Sequence, residues 1–156
     1  MSVFDSTGAN TSQGLSPSTA ENCAFCRIVR REAPARVVHA DDDVVAFFPL
    51  EPAVIGHVLI VPTKHVATVW DLDRNTAHQL ADASLRVSHA LRRALHPEGL
   101  NLIQSNGQAA TQTVDHLHVH VLPRWASDPI DDFWPDTSPW SDLDLDKARA
   151  AIAEQM

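Results

Sequence analysis

The sequence predicts one α+β domain: a five-stranded antiparallel sheet with one long and one short helix. Three observations carry that prediction. Five short segments rich in Val, Ile, Leu and Phe are each bounded by turn residues, which is the mark of strands. One stretch, about 75–95, repeats its apolar residues with a helical period, through Leu80, Ala83, Leu85 with Val87, Leu91 and Leu95. The chain has 156 residues, 44% hydrophobic and 21% charged, which is enough to bury one core and ordinary for a globular protein. Strands and helices that are segregated rather than alternating make the class α+β.

Each element follows from local chemistry. Residues 1–21 are rich in Ser, Thr, Asn and Gly without hydrophobic periodicity, and a disordered leader is expected there. From Cys23 to Arg31, Phe25, Ile28 and Val29 share a helical face, and Ala33-Pro34 closes a short helix. Arg36 to Ala40 and Val44 to Phe48 read as two strands joined by the Asp41-Asp42-Asp43 turn. His57 to Val61 is a third strand, ended by Pro62. Asp73 or Asn75 caps the long helix, and Pro97 with Gly99 terminates it. Leu100 to Gln104 and His116 to Leu122 complete the sheet. The domain therefore spans 22–125, and 126–156 is expected to form an irregular tail, with a terminal helix over Leu145–Glu154.

Composition excludes several classes of function. The net charge is −8, with 12 basic against 20 acidic side chains and no basic stripe, so a nucleic-acid footprint is absent. No apolar run approaches the ~20 residues that span a bilayer. The N-terminus lacks a basic, then apolar, secretory pattern, so a cytoplasmic location is expected. Two cysteines three positions apart rule out a disulfide framework and leave two readings open, a metal half-site or a redox motif.

The chemistry concentrates in Asp115-His-Leu-His-Val-His-Val-Leu-Pro-Arg124. Alternation puts His116, His118 and His120 on one face of a strand and Leu117, Val119 and Val121 on the other. Burying three imidazoles for packing alone is costly, because each carries polar nitrogens that need partners. Imidazole titrates near neutrality, ligates metals and acts as a nucleophile. The run reads as an active-site strand.

His116-Leu-His118-Val-His120-Val-Leu122 resembles the signature of the histidine triad family of nucleotide hydrolases and transferases. Cys23-Ala-Phe-Cys26-Arg-Ile-Val is similar to that family's opening segment, Gly56-His57 through Pro62-Thr-Lys-His65 to its central strand and turn, and Gln112-Thr113-Val114 to the residues ahead of the triad. The resemblance covers about residues 22–125 and implies the family's fold, usually as a homodimer that shares one sheet.

What it implies for the site follows residue by residue. His118 is the expected nucleophile, attacking an α-phosphorus to give a nucleotidyl-histidine, with His120 and His57 donating to phosphate oxygens. Phe25, Ile28, Phe47, Leu50 and Leu59 stand at positions of a purine slot; Asn106, Gln112 and Thr113 stand at the phosphate site. Arg124 is either an electrostatic assistant or a loop residue. Where the family's ribose-binding aspartate is usual this chain has Pro49, with Glu51 two residues on, and Thr111 replaces a usual glycine. Some bacterial members complete the cysteine pair with two histidines, here His65 and His116, which implies a structural zinc on Cys23, Cys26, His65 and His116. The implied ligand is a purine nucleotide or nucleotide conjugate. Two other functions compete: a non-catalytic nucleotide binder, and a metallohydrolase whose three histidines hold a water-activating zinc.

Overall fold

The computed structural model describes residues 19–131, 133 and 138–156; the expected leader lies outside these as far as residue 18. In chain order the elements are α1 (Ala24–Val29), β1 (Arg36–Ala40), β2 (Val44–Phe48), β3 (Val58–Pro62), α2 (Arg74–Leu95), β4 (Gly99–Gln104), β5 (Val119–Arg124) and α3 (Asp142–Ala153). The five strands form one antiparallel sheet in the order β1-β2-β3-β5-β4.

The β1–β2 turn is built by Asp41, whose carboxylate accepts from the N–H groups of Asp43 and Val44 at 3.0 and 2.9 Å. Asp73, not Asn75, caps α2: its carboxylate accepts from the Thr76 N–H and hydroxyl, both at 2.9 Å. The helix stops at His96, which adopts the left-handed conformation. Its apolar stripe of Leu80, Ala83, Val87 and Leu91 packs on Val44, Ala46, Val58, Ile60, Leu117 and Val121, and this is the main core, whereas Leu85, expected in the stripe, lies off that face and is exposed. Truncating Leu91 or Ile60 to Ala there costs about 2–5 kcal/mol.

The opposite face of the sheet holds the chemistry. Registers Val37↔Phe47, Phe47↔Leu59, Leu59↔His120 and Ile103↔His120 align one row of side chains across all five strands on that face. Helix α1 lies against it, with Phe25, Ile28 and Val29 packed on Val45, Phe47, Leu59 and Val61.

Strands β3, β4 and β5 differ from the sequence prediction at their boundaries: β3 starts at Val58, β4 at Gly99, and β5 runs on to Arg124. Pro62 is the last residue of β3, opposite Val44, instead of the residue that stops it. More consequentially, β5 begins at Val119, so His116 and His118 precede the ladder. The backbone there bonds elsewhere: Leu117 N–H donates to Val66 O at 2.6 Å, and His116 N–H to Val114 O at 2.8 Å. Leu117, Val119 and Val121 still face α2, as alternation predicts. Helix α3 starts three residues earlier than expected, with Ser141 accepting from Asp144 N–H as its cap.

Candidate active site

Five histidines meet on the α1 side of the sheet, and their hydrogen-bond partners fix which nitrogen of four of them carries the proton. His118 Nδ1 lies 2.7 Å from the His116 carbonyl oxygen, which can only accept, so Nδ1 carries the hydrogen and Nε2 is a bare lone pair. The opposite tautomer sets a lone pair against a buried carbonyl, a loss of about 1–3 kcal/mol. Among the described residues His118 Nε2 has no hydrogen-bond partner. Burial lowers the His118 pKa, partly offset by that hydrogen bond, and favours the unprotonated ring.

His57 and His120 form a relay beside it. Ala53 N–H donates to His57 Nδ1 at 3.1 Å, so the His57 hydrogen sits on Nε2. That Nε2 lies 2.9 Å from His120 Nδ1, which must accept, leaving the His120 hydrogen on its own Nε2. Burial, then the neighbouring His118 and His57, pushes His120 down to about 4; burial and His118 also lower His57. The His118 and His120 rings are 4.9 Å apart between centroids.

Gly56 is what allows His57 to enter the site. Its φ is +82°, and a Cβ there would collide with Leu95 Cδ1 on α2 and crowd Pro123. Only glycine satisfies both the left-handed backbone and the close approach.

His116 turns the other way. Its Nε2 donates to the Pro62 carbonyl at 2.9 Å, and the bare Nδ1 faces both cysteine sulfurs at 3.4 Å. His65 Nδ1 is 3.2 Å from Cys26 Sγ. The donor atoms of Cys23, Cys26, His65 and His116 all lie within 4.8 Å of one another, and three of the four residues are buried. A tetrahedral centre with bonds of about 2.0–2.3 Å spaces its ligand atoms about 3.5 Å apart, so the arrangement fits a metal ion. The electrostatics agree. Burial, then the neighbouring Cys23, pushes the Cys26 thiol up to about 11, and burial drives His116 down to about 4, so a thiolate here needs a cation. The cysteines are free thiols, not a disulfide. Because His116 belongs to the cysteine cluster, the three alternating histidines do not converge on one metal, which removes the geometric basis for a triad-bound catalytic zinc.

Phe25, Ile28, Phe47 and Leu59 do come together, with Phe47 and Leu59 as a buried floor. Phe25 stands edge-on to Phe47 at 5.4 Å, His118 at 5.2 Å and His116 at 6.0 Å. Leu50 is not part of this cluster: it lies past the last β2 ladder pair and is 93% exposed. The side-chain amides of Asn106 and Gln112 are engaged within the protein. Asn106 Oδ1 accepts from Val69 N–H at 2.7 Å and its Nδ2 donates to Gln104. Gln112 accepts from Gly107 N–H and donates to Ala67 O and Val114 O. Both brace the loop ahead of the triad, so their side chains position that loop, and Thr113 is exposed within it. Thr111 has φ +65°, the left-handed region that explains why glycine is usual there. Arg124 is a structural anchor: it donates bidentately to Asp128 at 2.7 and 3.0 Å and to Asn101 and Ile130 O at 2.8 Å. The functional backbone groups of Ala53, Pro62 and Val66 escape sequence reasoning, since any residue type supplies them.

A family model for the HIT domain matches residues 30–126. The chain belongs to the HIT family. Among HIT relatives, Protein hit of Bacillus subtilis is 36% identical over 106 residues, 68% of this chain and 73% of that one. An adenosine 5'-monophosphoramidase of Schizosaccharomyces pombe is 32% identical, covering 70% and 86%. An adenylylsulfatase of Arabidopsis thaliana is 30% identical, covering 80% and 67%. The fold matches a crystal structure of a HIT family member from Bacillus subtilis at TM-score 0.80, 31% identity and 86% and 97% coverage. A zinc-bound histidine triad family protein of Mycobacterium smegmatis matches at TM-score 0.68, 33% identity and 88% and 97% coverage. The HIT family includes hydrolases of nucleotide derivatives, and the fold expected from sequence is the HIT fold.

Proposed function

We propose that this protein is a nucleotidyl hydrolase or transferase that works through a covalent nucleotidyl-histidine on His118. One observation carries the reading: the His116 carbonyl takes the Nδ1 hydrogen of His118 and leaves Nε2 as a lone pair with no partner among the described residues. In the first step Nε2 attacks the α-phosphorus, an N–P bond forms, and the bond from phosphorus to the leaving group breaks, its electron pair departing with that group. The leaving group departs with a proton passed from solvent through His120; water then bonds to phosphorus, sheds a proton by the same route, cleaves the N–P bond and restores the neutral ring. His120 Nε2–H, held in that tautomer by His57, donates to a nonbridging oxygen as negative charge builds. The substrate base lies over Phe25 and Ile28, above the floor of Phe47 and Leu59.

Cys23, Cys26, His65 and His116 hold a structural zinc, supported by their mutual distances and by the zinc-bound relative. Such an ion adds folding energy and leaves every proton and phosphoryl step to the histidines. The outer edge of β4, with Leu102 at 53% exposure, is the proposed homodimer seam.

The named relatives make adenosine phosphoramidate and adenylylsulfate the first compounds to test. Purified zinc-loaded protein is expected to release AMP from at least one of them, and His118→Ala is expected to release none. Binding of either compound without turnover would establish the non-catalytic reading instead.

A further inference from the structure

Helix α1 has only six residues, and its cap residue Cys23 makes no side-chain capping bond. An isolated helix under ~12–15 residues is marginal in water, so tertiary ties must hold this one. Two sets of ties exist, on adjoining sides. Cys23 and Cys26 reach into the four-residue metal cluster, and Cys26 is the buried residue of the helix. Phe25 and Ile28 reach instead into the apolar cluster beside the catalytic histidines. Phe25 sits between the two cysteines and touches both sides at once, edge-on to His116 at 6.0 Å and to His118 at 5.2 Å. An interplanar angle of 86° to His118 directs a ring edge against a ring face, a geometry lost with small displacements.

We propose that α1 couples metal occupancy to nucleotide affinity, with Phe25 as the positioning residue that carries the coupling. The inference rests on the nucleotide reading of the slot. When the cysteines and histidines close on a metal ion, α1 is pinned and Phe25 is set against His118 with the slot formed. When the ion is absent, the helix keeps only its apolar ties and Phe25 loses its fixed position. Linkage makes the effect reciprocal: whatever factor zinc adds to nucleotide affinity, nucleotide adds to zinc affinity. The expected size is that of ordinary coupling, roughly 5- to 150-fold.

The test uses AMP as the probe and the whole chain. Zinc affinity is measured by equilibrium competition against a chromophoric chelator, with and without saturating AMP. AMP affinity is measured on zinc-loaded and zinc-stripped protein. The proposal expects both ratios to exceed about fivefold and to agree with each other. In Phe25→Leu, which keeps apolar bulk but removes the ring edges, both ratios should fall toward one while zinc still binds; Phe25→Tyr should restore them. Two results would overturn the coupling: AMP binding that leaves zinc affinity unchanged, or coupling that persists in Phe25→Leu, which would trace the link to global folding. AMP and GMP both failing to bind the zinc-loaded wild type would overturn the nucleotide reading itself, and this inference with it.

Discussion

Two histidine clusters share a boundary at residues 116–118, and they differ in where the free lone pairs end up. In the cysteine cluster, the His116 Nε2 hydrogen goes to the Pro62 carbonyl and the lone pair on Nδ1 faces sulfur. In the neighbouring cluster, the His118 Nδ1 hydrogen goes to the His116 carbonyl and the lone pair is on Nε2. The residue type is the same, and the difference is one carbonyl on one side of the ring or the other. A carbonyl that accepts from one nitrogen selects the tautomer, and on the proposed function that tautomer suits His116 to a metal and His118 to nucleophilic attack. Residue 116 serves both clusters, its side chain in one and its carbonyl in the other.

The sharpest way to separate the two clusters is to delete one residue from each. His118→Ala should lower kcat by about 10⁴-fold or more while leaving metal content near wild type, because the covalent route is lost and the cage is untouched. Cys23→Ser with Cys26→Ser should do the reverse in stability: about one zinc per chain falls to near none, and Tm drops by roughly 10 °C. Elemental analysis and calorimetry read both variants. A double cysteine variant that melts like wild type would mean that the cage holds no structural ion.

Within the cluster of His57, His118 and His120, His57→Ala should cost about 10²-fold in kcat, since it frees His120 to adopt the wrong tautomer without removing the proposed nucleophile. The relay also predicts a pH response. His120 ordinarily titrates near 6.5 and is held at about 4, so between those values the unfolded chain binds the extra proton and the folded one does not. Stability therefore rises with pH across that window: its contribution is intact above about 6.5 and is lost as pH falls toward 4. Urea midpoints from pH 7 to 4 should decline accordingly, and NMR of the His120 ring should show it neutral well below pH 6. A midpoint that rises on acidification would contradict the buried neutral relay.

The smallest effect concerns the sugar. By the family resemblance Pro49 stands at the position of a ribose-holding carboxylate, with the exposed Glu51 two residues on. Pro49→Asp should tighten a ribonucleoside monophosphate by about tenfold, the worth of one charge-assisted hydrogen bond of ~1.5 kcal/mol, and leave its 2′-deoxy analogue unchanged. Titration calorimetry on both nucleotides decides it, and equal affinities before and after the substitution would place the sugar elsewhere.

Much of this was legible in the sequence, and the exceptions have a common cause. Side-chain periodicity located all five strands and α2, residue type located the three alternating histidines and the cysteine pair, and the family resemblance added His57 and His65 to them. What failed was anything decided by backbone partners. Alternation predicted a strand from His116, yet Leu117 N–H bonds to Val66 O and the ladder starts at Val119. Asn106 and Gln112 have the right chemistry for a phosphate site, and residue type alone does not reveal that their side-chain amides also brace the loop through Val69, Gly107, Ala67 and Val114. Arg124 has the charge to assist catalysis, and Asp128 and Asn101 consume it. A pattern of residue types tells which groups can act; the backbone around them decides which remain free.

The central claim is that the free Nε2 of His118 becomes bonded to phosphorus. Rapid acid-free quenching of the zinc-loaded protein during turnover of adenosine phosphoramidate, followed by proteolysis and mass spectrometry, tests it directly. The account predicts an added AMP on the peptide that contains His118, present in wild type and absent in His118→Ala. Steady turnover with no adduct on that peptide, or an adduct on His120 or His57 instead, would contradict it.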